Sequence, residues 1–175
     1  MKKATFCLTA LVLLLCAASF GEDKTKSVEF GEEKHTMNIP EKWEATKPEN
    51  PGMRLMQIKV PKSGDDKEDA EVLIFFIKAG GSVDDNIKRW SRQFGGGEAK
   101  KTEAKTASGK TVTVAEIDGT YTGMGANGQP MPARENYKLF GTIIPDDGIF
   151  IKLTGPKATV AANKEAFDKM LASYK

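Results

Sequence analysis

Thiol and imidazole groups are nearly absent from this sequence. Its 175 residues contain two cysteines and one histidine. Both cysteines, Cys7 and Cys16, fall in the N-terminal stretch 4–18, which is apolar or small throughout. A Cys/His zinc site is excluded by count. Once the leader is removed, no cysteine nucleophile and no disulfide remain. A Ser–His pair could use only His35, which stands between Lys34 and Thr36 and reads as a half-exposed strand residue. Charge imbalance is also lacking. Removing Lys2 and Lys3 with the leader cuts the 26 basic residues to 24, equal to the 24 acidic ones. No excess of positive charge points to nucleic acid or to an anionic membrane.

The N-terminus supplies an address. Met1-Lys2-Lys3 is a short basic region, the apolar stretch follows, and Glu22-Asp23-Lys24 opens a charged chain. That order predicts a secretory signal peptide, too short and wrongly flanked for a membrane span. Ser19-Phe20-Gly21 offers small residues at the positions a signal peptidase reads. Cleavage is placed after Gly21, with Ala18 and Ser19 as neighbouring choices. Lipidation at Cys16 is disfavoured, because Leu15 stands where a small residue is needed. Residues 1–21 are thus a signal peptide and 22–175 one globular α/β domain, secreted or periplasmic. Losing 21 of 175 residues leaves 154, enough to build a core without disulfides.

Hydrophobic periodicity then orders the chain. Residues 27–30 and 34–39 read as a hairpin around Gly31-Glu32-Glu33. Residues 53–60 alternate, and 71–78 (EVLIFFIK) are apolar on both faces, which predicts a central strand covered on each side. Ser82 is a candidate N-cap with Asp85 three residues on, and Val83, Ile87, Trp90 and Phe94 form a helical stripe ended by three glycines. Strands follow over 100–106 and 110–121, where the parity slip at Ala115–Ile117 predicts a bulge. Strands over 135–144 and 149–154 make the last hairpin. Val160, Phe167, Met170, Leu171 and Tyr174 then mark one closing helix. The fold class expected is α+β: a single antiparallel sheet of about six to eight strands with helices on both faces, in the order ββββαββββα. Phe76, Trp90, Leu153 and Phe167 are expected in its core.

NIPEKW after an opening strand, strand hairpins around a mid-chain helix, GTY, and a strand-to-helix close with Phe167 and Met170-Leu171 together resemble the PsbP-like superfamily. The resemblance spans most of residues 26–174. It implies an α/β/α sandwich and a non-enzymatic binding or assembly role. No metal-binding motif of the photosystem members matches residue by residue, so their metal and photosystem roles are not implied.

Motifs with chemistry are few. Residues 123–128 (GMGANG) fit G-x-G-x-x-G, but QPMP follows where a dinucleotide fold needs a helix. Residues 104–111 (AKTASGKT) approach a Walker A motif without its first glycine, and a hairpin turn at Ser108-Gly109 accounts for them better. Asp65, Asp66, Glu68 and Asp69 lack the EF-hand alternation and read as a solvated loop. Met53, Met56, Met124 and Met131 could in principle supply thioethers to copper, but Met56 reads as core and Met124 and Met131 as loop. Glu116 and Asp118 are the one pair considered for catalysis. They lie two apart on a strand, about 7 Å apart on one face, within the range an inverting glycosidase uses. A solvated acidic pair is the simpler account.

The function expected is a secreted, non-catalytic domain that binds or assembles with a protein or small ligand, with no cofactor, metal or nucleic acid. Tyr121, Met124, Met131 and Arg134 around the loop 123–132 are the expected contact residues, since long Gly-rich loops cost entropy to order. The alternatives are a carboxylate-dependent hydrolase using Glu116 and Asp118, and an envelope assembly protein held by lipid on Cys16.

Overall fold

A computed structural model describes residues 24–49, 52–123 and 129–175. The expected signal peptide (1–21), with Cys7 and Cys16, and Met124 lie outside the described residues. The elements, in order, are β1 (Thr25–Phe30), β2 (His35–Pro40), β3 (Glu44–Thr46), β4 (Arg54–Val60), β5 (Ala70–Phe76), α1 (Val83–Gln93), β6 (Lys100–Lys105), β7 (Thr111–Tyr121), β8 (Arg134–Ile144), β9 (Ile149–Pro156), α2 (Lys157–Ala162) and α3 (Lys164–Ala172). A 3-10 turn, Pro145–Asp147, joins β8 to β9.

The chain is α+β, as the patterning predicts, but the expected single sheet is divided. Seven strands form an antiparallel sheet in the order β3-β4-β5-β9-β8-β7-β6, and β1-β2 is a separate two-stranded hairpin. Five strands precede α1 where four are expected. The addition is β3, a three-residue edge strand of Glu44, Ala45 and Thr46, too short and polar to show alternation. The centre is β9, not residues 71–78. All of β9 except Lys152 is buried. In β5 only Ala70, Val72 and Ile74 are buried, and Glu71, Leu73 and Phe75 are partly covered.

Each sheet face carries its own core. On one face, Ile58, Val72, Ile74, Val114, Phe140, Ile151 and Leu153 meet Val160, Phe167, Met170, Leu171 and Tyr174 from α2 and α3, together with Phe30, Met37, Ile39 and Trp43. On the other face, Ile87 and Trp90 of α1 and Phe94 at its C-terminal cap cover Ala115, Ile117, Leu139, Ile143 and Phe150. A Cβ on Gly141 would lie 2.6 Å from the Trp90 ring, so that glycine is what lets the indole press onto the sheet. The same two-sided burial explains the parity slip at 115–117. Val112 and Val114 face one core, Ala115 and Ile117 the other, and pairing with β8 stays in register there. The register shift lies further on, between Gly119 and Tyr121.

Local caps agree with the sequence. Ser82 Oγ accepts the Asp85 amide at 3.1 Å and caps α1. Asp66 Oδ2 accepts from the Thr159 amide and hydroxyl, each at 2.7 Å, and serves the first turn of α2 from a loop 93 residues away. The closing helix is broken at Asn163, whose Nδ2 donates to Thr159 O at 2.8 Å. Trp90, Leu153 and Phe167 are buried as expected, whereas Phe76 is 43% exposed. Phe76 shares a face with Val72 and Ile74, but it ends its strand at a gap beside the β1–β2 hairpin. No helix among the described residues is long and apolar enough to cross a membrane.

Candidate functional site

The carboxylate pair is brought onto one lysine. β7 and β8 pair Glu116 with Phe140 and Asp118 with Lys138, so the Lys138 side chain lies between the two acids. Lys138 is 5% exposed; its Nζ bonds Glu116 Oε1, and Asp118 Oδ1 at 2.7 Å. Lys157, the first residue of α2, reaches Asp118 Oδ2 at 2.8 Å. Burial pushes the Asp118 carboxyl up, but hydrogen bonds from Lys138 and Lys157 outweigh it and hold the group below the ordinary carboxylate range. Burial likewise pulls Lys138 down, and Asp118 and Glu116 outweigh it to hold the ammonium above its ordinary value. A glycosidase needs one carboxyl raised so that it can donate a proton. Asp118 is held in the opposite state, and the adjoining cleft with Glu98 and Lys100 is only about 210 Å³.

The second expected cluster is partly assembled. The register pairs Tyr121 with Arg134 at the ends of β7 and β8. Tyr121 stacks on Tyr137 with ring centroids 5.9 Å apart and rings 4° from parallel, and lies 5.0 Å from Phe94. Arg134 Nη1 donates to Tyr137 Oη at 3.1 Å and meets Glu68 at 3.5 Å, while Tyr137 Oη donates to Glu68 Oε2 at 2.6 Å. Burial first, then that acceptor, hold the Tyr137 phenol above its ordinary range. Met131 is half-buried, and its amide donates to Gly123 O at 2.8 Å, closing the base of the loop. Arg134 and both tyrosines are thus engaged with one another. The residues at 104–111 form the predicted turn, with Thr106 Oγ1 accepting the Lys110 amide at 3.1 Å and Gly109 at φ 82°.

A third site, not expected from the sequence, surrounds His35. The β1–β2 turn, the connection from β3 to β4, Leu55 of β4 and the ends of β5 and β9 line a cavity of about 460 Å³. Leu55, Phe76, Ile149 and Pro48 give it an apolar lining, and Glu32, Glu33, His35 and Lys47 add polar groups. Gly31 takes φ 75° to turn the hairpin there. A Cβ on it would stand 3.5 Å from Leu55 and 3.7 Å from the His35 ring, inside the wall of the cavity.

A buried relay stands behind His35. Its Nδ1 lies 3.0 Å from Tyr174 Oη, which in turn donates to Asp147 Oδ2 at 2.5 Å. Lys110 Nζ pairs with the other oxygen of Asp147. Burial raises the Asp147 carboxyl, but Lys110 and Tyr174 outweigh it and hold the group below the ordinary range. Burial and the Asp147 acceptor push the Tyr174 phenol far up. The single phenol proton is therefore given to Asp147, and Tyr174 Oη can only accept from His35. That places a proton on Nδ1 of the ring. Nε2 lies 3.5 Å from Glu33 Oε2, and both residues line the cavity. Sequence reading misses this site because His35 and Tyr174 are 139 residues apart. Its one visible signal was that His35 is the chain's lone imidazole.

The fold assembled in this way is PsbP-like. It is similar to the solution structure of cyanobacterial PsbP (CyanoP) from Synechocystis sp. PCC 6803, with a TM-score of 0.52 and 15% identity, over 93% of this chain and 98% of that chain. At that identity the likeness is one of fold alone. No protein-family model matches the sequence. No curated protein matches it either.

Proposed function

We propose that this chain is exported, cleaved after Gly21, and acts as a non-catalytic binding domain whose ligand occupies the cavity beside His35. The observation that carries this reading is the cavity itself. At about 460 Å³ it falls in the size range of ligand sites, which are apolar clefts with a few placed polar groups. It also accounts for Phe76, a large aromatic left 43% exposed on the face that otherwise builds the core. The leader sequence supports export, and residues 22–175 form the working domain in this reading. Glu116 and Asp118 are structural partners of Lys138 rather than catalysts.

The reading is tested by native mass spectrometry of the exported protein recovered from its own cell envelope. The expected result is a chain beginning at Glu22 that carries a small-molecule adduct, with the adduct lost from a Phe76→Glu variant. A chain that begins at Cys16 with a lipid, or an adduct unchanged in the variant, would contradict it.

A further inference from the structure

Phe76 is a ring held in place at one wall of the cavity. The ring lies against Gly148: a Cβ on that glycine would stand 3.3 Å from Phe76 Cε2 and 3.5 Å from its Cδ2. Gly148 takes φ 63°, a conformation that favours glycine, and so the ring keeps its seat. The backbone is tied on both sides of it. The Phe76 amide donates to Met53 O at 2.8 Å, and the Ile77 amide to Gly148 O at 2.9 Å. Ile149 stands directly opposite Phe76 in the β5–β9 register, so the two side chains share a face. Ile149 is buried, whereas Phe76 stays 43% exposed. The charged lining groups are different in kind. Glu32, Glu33 and Lys47 are all exposed and carry both signs, and Glu33 already has His35 as a neighbour at 3.5 Å.

From this arrangement we infer that the cavity takes an uncharged compound with a planar aromatic ring, which stacks on Phe76. Two rings gain from stacking beyond the area they bury. Phe76 is already seated, so little of its freedom is lost on binding. Leu55 and Ile149 supply further apolar surface for the same body. These three side chains offer no donor or acceptor, so a charge drawn over them is desolvated without a partner. A charged head at the rim meets only exposed groups of both signs, and exposed ion pairs are worth little. Neither an anion nor a cation is therefore favoured over the uncharged ring. This inference rests on the reading that the cavity is the binding site.

The experiment uses the chain 22–175 and four bicyclic probes at neutral pH: 2-naphthol, its saturated counterpart 2-decalol, 2-naphthoate and 2-naphthylmethylammonium. Dissociation constants are read by NMR from the shifts of the Gly31 and Ile149 amides. 2-Naphthol is expected to bind about threefold to tenfold tighter than 2-decalol, which is the worth of one ring stack. Both ions should bind more weakly than 2-naphthol. Phe76→Leu keeps an apolar side chain and removes the ring; in it both alcohols should still bind, and 2-naphthol should lose its advantage. The comparison in the unaltered chain decides the matter by itself should the variant fold poorly. If 2-decalol binds as tightly as 2-naphthol, or if the advantage survives Phe76→Leu, the stacking inference is overturned and the cavity remains a binding site. If either ion binds as tightly as 2-naphthol, the uncharged character is overturned. If none of the four shifts these amides, the inference and the cavity reading fall together.

Discussion

Lys152 projects from the central strand into the face covered by α1, where its Nζ donates to Gln93 Oε1 at 3.2 Å and lies 5.9 Å from the Trp90 ring. Its partners are an amide and an indole face rather than a carboxylate. Burial first, then the nearby Arg89, pull its ammonium down to about 8 from 10.5. An unfolded chain therefore holds this proton between about pH 8 and 10.5 while the folded chain has released it, and stability rises with pH across that window. Below pH 8 the full penalty applies. Lys152→Met should raise stability by about 1–2 kcal/mol at pH 7, allowing for its partial exposure. The gain should fade by pH 10. Denaturation midpoints at the two pH values check this, and an equal difference at both would contradict it. Sequence alternation places Lys152 on the outer side of its strand; the docking of α1 over that side is what partly covers it.

At the scale of elements, the α2–α3 pair closes the larger core. Phe167 is fully buried and stacks on Phe140 with centroids 6.1 Å apart. Phe167→Ala should cost about 3–5 kcal/mol, through the transfer of the lost ring and the cavity it leaves. An unchanged urea midpoint would show that the closing helices do not pack on the sheet as described. These elements were legible because their apolar residues recur at helical or strand spacing. The helix stripe from Val160 to Tyr174, the Ser82 cap and the alternation of β9 each depend on residues close in sequence. What escaped notice depends on distant partners. The break at Asn163 is set by a local amide bond to Thr159, but the cap that fixes Thr159 comes from Asp66. The division of β1–β2 from the main sheet leaves no local pattern at all.

The whole molecule is stitched together at its C-terminus, and the candidate site results from that stitching. Lys175 exchanges both backbone hydrogen bonds with Thr36 at 3.1 Å, and Ser173 Oγ accepts the Asn38 amide at 2.8 Å. These contacts hold β2 against α3 and set His35 beside Tyr174. The hairpin then stands over the end of β5 and leaves the gap at Phe76. None of this could be read from His35 and its neighbours in sequence. The Tyr121–Arg134 pairing was legible, because two strands flanking one loop must bring their ends together.

The central claim is that the cavity, and neither the Tyr121–Arg134 rim nor the Glu116–Asp118 cleft, receives a ligand. The most direct measurement is an NMR titration of the assigned chain 22–175 with a library of small aromatic and aliphatic fragments. The account predicts that shifted resonances gather at Gly31, Glu33, His35, Leu55, Phe76 and Ile149. Shifts gathered at Tyr121 and Arg134, or at Glu116 and Asp118, with the His35 region unmoved, would contradict it.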